Sequence, residues 1–333
     1  MLFPGVGKKG QENICKSRVT VVGCGALGTV IASTLVRAGV GFVRVVDRDF
    51  IEFNNLQRQV LFDENDIKQG YPKAVAAANK LREINSQVEI ESVVADVNYK
   101  NIEQLIDGAD LILDGTDNFE TRFLINDACI KHKQPWIYGG CVGSHGLSLV
   151  VIPGETPCLR CVFETQPPAE LTPTCDTAGI ISPIVNMIAS LQVTETLKFL
   201  AGNKKDLLTG LYTYDIWTRE AHSFKTQSSF GKVDCICCQR KNFEFLEGTK
   251  GSRATTLCGR SAVQISSDRG EKIDFKQLAS RLETVGKVKV NAFMLKCEID
   301  EFELTLFPDG RAIIKGTTDP AQAKTIYAKY VSG

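Results

Sequence analysis

The chain has 333 residues, 43% hydrophobic and 23% charged, which is typical of an ordinary globular protein of about two domains. Its 39 basic residues balance its 39 acidic residues, so no net charge attracts nucleic acid or an anionic membrane, and we expect neither as a partner. No apolar run approaches the ~18 residues of a membrane span and the start lacks a signal-peptide core, so we expect a cytoplasmic protein.

The first predicted elements, over residues 18–49, are a strand, a glycine turn, a helix and a second strand. The β-branched run Arg18–Val22 leads into the sequence GCGALG at residues 23–28, which fits the pattern G-x-G-x-x-G. Helical spacing follows over Ala26–Gly39, and the apolar strand Phe42–Val46 ends the stretch. This order of elements is the one in which the pattern binds nucleotides.

Each glycine of the pattern has its own role. Gly23 permits the tight turn, Gly25 lets the backbone approach a phosphate, and Gly28 lets the helix pack closely on the strand. Asp47 lies at the end of the second strand, where a carboxylate accepts hydrogen bonds from ribose hydroxyls. The stretch predicts a nucleotide site, and a purely structural turn is the alternative.

Helices and strands then alternate as far as residue 152. The predicted helices are Lys73–Asn85, Ile102–Ile106 and Phe119–His132, and the predicted strands are Val88–Ala95, Leu111–Leu113, Pro135–Tyr138 and Leu147–Ile152. The last of these strands follows a short connection, so we expect it to be antiparallel. An apolar helix over Gly179–Leu200, interrupted near Pro183, precedes two closing strands, Leu211–Asp215 and Glu220–Lys225. The pattern predicts an α/β fold with a doubly wound, Rossmann-like, mostly parallel sheet and antiparallel additions.

The remainder of the chain predicts a separate small α+β domain. We expect a nucleotide-binding domain over residues 1–247, a linker over 248–255 and the small domain over 256–333. The predicted elements of the small domain are a strand at Ser261–Ile265, a helix at Phe275–Thr284, two strands around Pro308-Asp309-Gly310 and a final helix at Ala321–Tyr330. The Asp-Gly pair between alternating strands is a hairpin signal.

Two Cys-x-x-Cys pairs predict a metal site. The pairs are Cys158 with Cys161 and Cys235 with Cys238, and together they offer four thiolates for a structural zinc knuckle. The spacing also permits pairs that include Cys237, and buried thiols or a redox pair are the alternatives. Four thiolates leave no open position for a substrate, so the predicted role is structural.

A fifth cysteine, Cys175, lies in a loop just before an apolar helix. A thiol near a helix N-terminus gains thiolate character, which suits a nucleophile that accepts an acyl group. An exposed, unreactive thiol fits the same spacing.

Three charged residues are candidates for the phosphates of a nucleotide. Arg58 and Lys73 follow the strand of Asp47 and are placed to act as paired cations. Asp117 follows a buried strand on the carboxyl edge of the sheet, where a carboxylate holds Mg²⁺. Solvated basic side chains and a helix-capping aspartate are the alternatives.

The chain resembles the ThiF/MoeB/HesA branch of the ubiquitin-activating-enzyme superfamily, and in its tail the Bacillus-type ThiF/MoeB-like proteins. The matching stretches are VVGCGALG, VVDRDFIEFNNLQRQ, GYPK, DGTDN, PCLRC, TCDTAG and SLQVTETLK. The resemblance implies that the chain adenylates the C-terminal Gly-Gly carboxylate of a small ubiquitin-fold sulfur carrier, using MgATP. The carrier would be ThiS-like, for thiamine thiazole, or MoaD-like, for molybdopterin; the tail favours ThiS.

The resemblance also implies roles for individual residues and further partners. The nucleotide set is Gly23, Gly25, Gly28, Asp47, Asn55, Arg58 and Lys73; Asp117 holds Mg²⁺; Cys158, Cys161, Cys235 and Cys238 hold zinc; and Cys175 occupies the position of covalent carrier chemistry. A homodimer and a cysteine desulfurase are the further partners that it implies.

Two other functions are open at this point. The glycine turn and Asp47 alone suit a nicotinamide-dependent oxidoreductase, although no acid or base for hydride transfer is evident. Members of the family carry an arginine-containing segment before L-F-P-G-x-G, whereas Met1 directly precedes Leu2 here. A non-catalytic, carrier-binding relative is therefore the second alternative, and we expect an added upstream arginine segment to raise the rate of adenylation.

Overall fold

The computed structural model describes residues 3–166, 178–226, 230–250, 254–257, 262–265, 273–308 and 310–331. The chain forms two compact units, Met1–Lys250 and Gly251–Gly333.

The first unit is built on one eight-stranded sheet with the order β3-β2-β1-β4-β5-β6-β7-β8. Its strands are β1 Arg18–Val22, β2 Phe42–Val46, β3 Glu89–Val93, β4 Leu111–Asp114, β5 Trp136–Val142, β6 His145–Val151, β7 Leu211–Asp215 and β8 Glu220–Phe224. Its helices are α1 Gly7–Ile14, α2 Ala26–Ala38, α3 Glu64–Gln69, α4 Lys73–Ile84, α5 Ile102–Ile106, α6 Phe119–Lys131, α7 Leu159–Val162 and α8 Ser182–Ala201. Strands β1 to β5 pair in parallel, and β6, β7 and β8 are added antiparallel. The predicted fold class is confirmed.

The central strands are apolar because helices cover both faces of the sheet. Val21 of β1 is opposite Val45 of β2 on one side and Leu113 of β4 on the other, and all three side chains are fully buried. The chain leaves β1 toward β2 on one side and reaches β4 on the other, so the strand order reverses there. Open α/β sheets bind ligands at the carboxyl ends of the strands beside such a reversal.

One predicted feature of the first unit is wrong. Pro183 does not interrupt an apolar helix, because α8 runs unbroken from Ser182 with this proline in its first turn. A proline there is favourable, since the first N–H groups of a helix have no partner within the helix and the ring presets the backbone angle.

The second unit contains a six-stranded antiparallel sheet of order β11-β12-β13-β14-β10-β9. Its strands are β9 Ala254–Leu257, β10 Ala262–Ile265, β11 Lys287–Val290, β12 Leu295–Ile299, β13 Phe302–Leu306 and β14 Ala312–Lys315, and its helices are α9 Phe275–Leu282 and α10 Pro320–Tyr330. The predicted hairpin corresponds to β13 and β14. Strands β9, β11 and β12 are additional to the prediction, and β9 starts within the residues assigned to the linker.

Candidate functional site

The glycine turn lies between β1 and α2, at the reversal of strand order. Gly23 has φ +90°, and a Cβ added to it would lie 2.6 Å from the Gly115 carbonyl oxygen. At Gly28 an added Cβ would lie 1.9 Å from the Gly23 carbonyl oxygen, so both glycines are required by packing. Gly25 differs, because the nearest atoms to its added Cβ are 4.0 Å away. The space over Gly25, at the N-terminus of α2, is open to a ligand.

Asp47 is fixed beside this turn by backbone donors. The Cys24 N–H donates to Asp47 Oδ2 at 2.6 Å, and the Asp49 N–H donates to Oδ1 at 2.7 Å. Burial raises the pKa of the Asp47 carboxyl above its ordinary value, whereas the nearby Lys73 ammonium opposes the rise. Each oxygen keeps a second lone pair, so the carboxylate can accept hydrogen bonds from a vicinal diol.

Lys73 reaches the same edge of the sheet from the start of α4. Its side chain is 4% exposed, and its Nζ lies 3.4 Å from Asp49 Oδ2. Its backbone N–H donates to the Asp49 carbonyl at 2.8 Å, and Phe50 forms a β-bridge with Pro72. These contacts tie the start of α4 to the loop after β2, which brings a buried cation close to Asp47.

Asn55 and Arg58 lie on that loop. Asn55 is fully buried, and its Oδ1 accepts the Glu52 N–H at 3.1 Å, so its amide shapes a short 3₁₀ turn. Arg58 is half-buried, and its Nη1 donates to the Asn54 carbonyl at 2.9 Å.

Two polar residues near the turn were not predicted. Gln59 is 4% exposed; its Nε2 is the side-chain atom nearest to an added Cβ at Gly25, and its Oε1 has no hydrogen-bond partner among the described residues. Arg48 donates from Nη1 to Asp96 Oδ1 at 2.6 Å. Burial acts to lower the pKa of Arg48, but the attraction of Asp96 and other nearby carboxylates outweighs burial and raises it. The partner of Arg48, Asp96, lies 48 residues away in sequence, so the pair could not be predicted from local sequence.

Asp117 is exposed on the loop after β4, on the same carboxyl edge. Beneath the loop lies a buried ion pair that sequence reasoning missed: Arg122 Nε lies 3.1 Å from Asp114 Oδ2. An exposed carboxylate among fixed backbone groups is a suitable ligand for a hard divalent cation.

The four cysteines of the two Cys-x-x-Cys pairs converge. Their sulfur atoms all lie within 4.8 Å of one another, and Cys158 Sγ lies 3.8 Å from Cys161 Sγ and 3.7 Å from Cys235 Sγ. The separation of Cys161 Sγ from Cys238 Sγ is 3.4 Å. Tetrahedral zinc with Zn–S bonds of 2.3 Å requires S–S separations of about 3.8 Å, so the cluster fits zinc.

Helix α6 ties both halves of this cluster to the sheet. Asn126 Oδ1 accepts the Leu159 N–H at 2.9 Å, and Asn126 Nδ2 donates to Cys237 Sγ at 3.2 Å. Cys237 contacts α6, and it is not among the four cysteines whose sulfur atoms could share one ion. The predicted nucleophile Cys175 lies outside the described residues.

Comparison with known proteins places these observations in a family. A family model described as ThiF family matches residues 1–235. The chain belongs to the ThiF family. The predicted family resemblance is thereby confirmed.

This ThiF-family chain is similar to proteins from several organisms. It is 44% identical over 331 residues to the "Sulfur carrier protein ThiS adenylyltransferase" of Bacillus subtilis (strain 168), covering 99% of this chain and 97% of that one. It is 35% identical to the "Adenylyltransferase and sulfurtransferase MOCS3" of Dictyostelium discoideum over 65% of this chain, and it spans only 50% of that relative. The crystal structure of E. coli MccB with ATP matches with a TM-score of 0.61 at 23% identity, covering 69% of each chain, which shows a shared fold.

No helix among the described residues of this ThiF-family chain combines the length and apolar character that crossing a bilayer requires.

Proposed function

We propose that this chain uses MgATP to adenylate the C-terminal Gly-Gly carboxylate of a small ubiquitin-fold sulfur carrier, with release of pyrophosphate. The observation that carries the proposal is the 44% identity to the Bacillus subtilis ThiS adenylyltransferase over 97% of that protein. Similarity over the full length transfers an activity more securely than a match restricted to one domain.

The residues at the carboxyl edge supply the groups that this reaction needs. ATP would lie over Gly25, with its ribose hydroxyls on Asp47 and its phosphates facing Arg58 and Lys73. Asn55 shapes the loop that carries Arg58. In this arrangement the cations stabilise the negative charge that develops as the carrier carboxylate attacks the α-phosphate and the bond to pyrophosphate breaks.

Asp117 is the residue that we expect to hold Mg²⁺. The ion, when bound, supplies charge neutralisation at the phosphates. An exposed carboxylate on the carboxyl edge supports this role. The reaction requires no acid–base pair on the protein, because a carboxylate is already a nucleophile at neutral pH.

The cysteine cluster is proposed as a structural zinc site formed by Cys158, Cys161, Cys235 and Cys238. The sulfur separations support it, and four thiolates leave no position for a substrate. For Cys175 we propose covalent carrier chemistry, and for the chain a homodimer that works with a cysteine desulfurase; these three proposals rest on the family resemblance alone.

A ThiS-like carrier is favoured over a MoaD-like one. The relative named for ThiS matches 99% of this chain, including the second unit, whereas the MOCS3 relative matches 65%. The test is carrier-dependent ATP–pyrophosphate exchange with each type of purified carrier. We expect exchange with the ThiS-like carrier; exchange with the MoaD-like carrier alone would reverse the choice.

A matched pair of lysines on α4 makes the exchange assay specific. Removing Lys73 in Lys73→Ala deletes a cation at the proposed phosphate site, so exchange should fall by about 100-fold. Lys80 lies on the same helix and pairs instead with Asp63 and Asp66, at 2.6 Å and 2.8 Å, so Lys80→Ala should keep the exchange rate. Equal rates for both variants would contradict the proposed site.

The exchange assay, together with a measurement of ATP and NAD binding, separates the alternatives. An oxidoreductase would bind NAD in preference to ATP, and a non-catalytic relative would bind ATP without exchange in the presence of any carrier. Family membership favours neither alternative, because relatives such as the Bacillus subtilis protein are named as adenylyltransferases.

A further inference from the structure

A buried ion pair lies directly beneath the loop that carries Asp117. Arg122 of α6 and Asp114 of β4 face each other at 3.1 Å, with side chains only 7% and 0% exposed. Removing two charges from water costs free energy that their mutual attraction often fails to offset. Stability alone is therefore a poor reason for the pair, and its other contacts indicate a second use.

The pair holds Thr116 at three atoms. Asp114 Oδ1 accepts hydrogen bonds from the Thr116 N–H at 2.8 Å and from its Oγ1 at 2.7 Å. Arg122 Nη2 donates to the Thr116 carbonyl oxygen at 2.8 Å. The held N–H belongs to the peptide before Thr116, and the held carbonyl belongs to the planar peptide that joins Thr116 to Asp117, so both peptides have a fixed orientation.

The pair is itself anchored to the sheet and to α8. Arg122 Nη2 also donates to the Gly139 carbonyl at 3.3 Å. Gln192 of α8 donates from Nε2 to the Asp114 carbonyl at 2.9 Å and to the Ile137 carbonyl at 3.3 Å. A Cβ at Gly139 would lie 2.4 Å from Gln192 Oε1, so the glycine leaves room for this amide. The ion pair is thus a rigid base under an exposed loop.

We propose that Asp114 and Arg122 are positioning residues that hold the Thr116–Asp117 peptide so that the Asp117 carboxylate faces the Mg²⁺ of bound MgATP. This inference deepens the proposed function and rests on it for the identity of the ligand. Neither residue of the pair touches the nucleotide; both act through Thr116.

The test removes one bond of this arrangement and leaves the ion pair intact. Thr116→Val replaces the hydroxyl, which donates to Asp114 at 2.7 Å, with a methyl group of similar size, and Thr116→Ser keeps the hydroxyl. ATP binding is measured by calorimetry in saturating Mg²⁺ and again in EDTA. The ratio of the two dissociation constants reports how strongly Mg²⁺ assists ATP binding.

We expect the Mg²⁺ enhancement of ATP affinity to fall by about tenfold in Thr116→Val, since a hydrogen bond to a charged acceptor is lost. Affinity in EDTA should stay unchanged, and Thr116→Ser should behave as the parent chain. Thr34→Val is the control, because it removes a hydroxyl bond of the same length, 2.7 Å, to the Val30 carbonyl within α2. It should change thermal stability without changing the enhancement.

Two results would overturn the positioning role: an unchanged enhancement in Thr116→Val, or an equal loss in Thr34→Val. The positioning role would also be overturned if the parent chain bound ATP with the same affinity in Mg²⁺ and in EDTA. Failure of the proposed reaction has a different signature. In that case the parent chain shows the Mg²⁺ enhancement and its loss in Thr116→Val, but no carrier supports pyrophosphate exchange.

Discussion

The glycine turn permits a direct separation of packing from ligand binding, because alanine should impair the fold at one of its positions and nucleotide binding at another. A Cβ at Gly28 would lie 1.9 Å from the Gly23 carbonyl oxygen, whereas a Cβ at Gly25 meets no atom closer than 4.0 Å. Gly28→Ala should therefore damage the fold, and Gly25→Ala should damage nucleotide binding alone.

The magnitudes follow from these distances. Relieving the contact at Gly28 requires α2 and β1 to separate by about 1 Å, and overpacking of this kind costs about 3 kcal/mol. For a unit of this size the melting temperature should fall by about 6–12 °C. An added Cβ at Gly25 has a clearance of 4.0 Å, so alanine there should lower the free energy of unfolding by much less than alanine at Gly28. The added methyl group occupies the space proposed for the phosphates and should weaken ATP binding by about tenfold or more.

Thermal unfolding followed by circular dichroism gives the first quantity, and calorimetric titration with MgATP gives the second. Titration at a temperature where Gly28→Ala stays folded keeps the two effects apart. If Gly25→Ala bound ATP as tightly as the parent chain, the open space over Gly25 would not be the phosphate site. If Gly28→Ala melted at the parent temperature, the packing interpretation would be wrong.

Three further predictions concern the elements around the site. Cys238→Ser should lose zinc, and its free energy of unfolding should fall by about 4 kcal/mol because the ion no longer closes the loop of 77 residues. Cys237→Ser should keep one zinc per chain, measured by atomic absorption. Equal zinc contents in the two variants would contradict the assignment. Burial raises the pKa of Asp127 to about 6, so the stability that its protonation provides is complete below the unfolded pKa and is lost as the pH rises through about 6. Between pH 5 and pH 8 the free energy of unfolding of the parent chain, measured in urea, should fall by about 1.4 kcal/mol relative to that of Asp127→Asn. If the difference between the two chains stayed constant over this range, the raised pKa of Asp127 would be refuted. Arg122→Met should lower the free energy of unfolding by about 3–5 kcal/mol, because Asp114 stays buried without its partner. A loss below about 1 kcal/mol would contradict the burial of Asp114.

The sequence predicted those parts of the molecule whose signals are local. The β-branched run of β1, the glycine pattern and the Asp at the end of β2 lie within 30 residues, and the structure brings them together as the pattern requires. The cysteine pairs were predicted equally well, since two Cys-x-x-Cys pairs in a chain of this kind indicate a metal site. The spacing favoured Cys235 with Cys238 and left pairs with Cys237 open; the bond from Asn126 to Cys237 spans 111 residues and could not be predicted from the sequence.

The residues that were missed depend on contacts between distant parts of the chain. Gln192 reaches Asp114 across 78 residues, and Arg48 reaches Asp96 across 48. Nothing in their own neighbourhoods distinguishes such side chains from solvated ones, since a buried polar group is recognised only by the partner that satisfies it. The short strand β11, Lys287–Val290, was missed for a related reason: both of its valines alternate with lysines and most of it is exposed, so no apolar face marks it.

Helix α6 connects the two chemical centres of the first unit. Arg122 in its first half holds the loop of Asp117, while Asn126 and Asp127 in its second half bind Leu159, Cys237 and the Phe245 N–H around the cysteine cluster. Arg122 and Asn126 are four residues apart and share one side of α6, so a single rigid element contacts both centres. A structural zinc there would stabilise helix α6 as well as the segments that carry the four cysteines. By fixing the second half of α6 it would restrict tilting of the first half, and the orientation of the Thr116–Asp117 peptide would depend on a metal that never contacts the nucleotide.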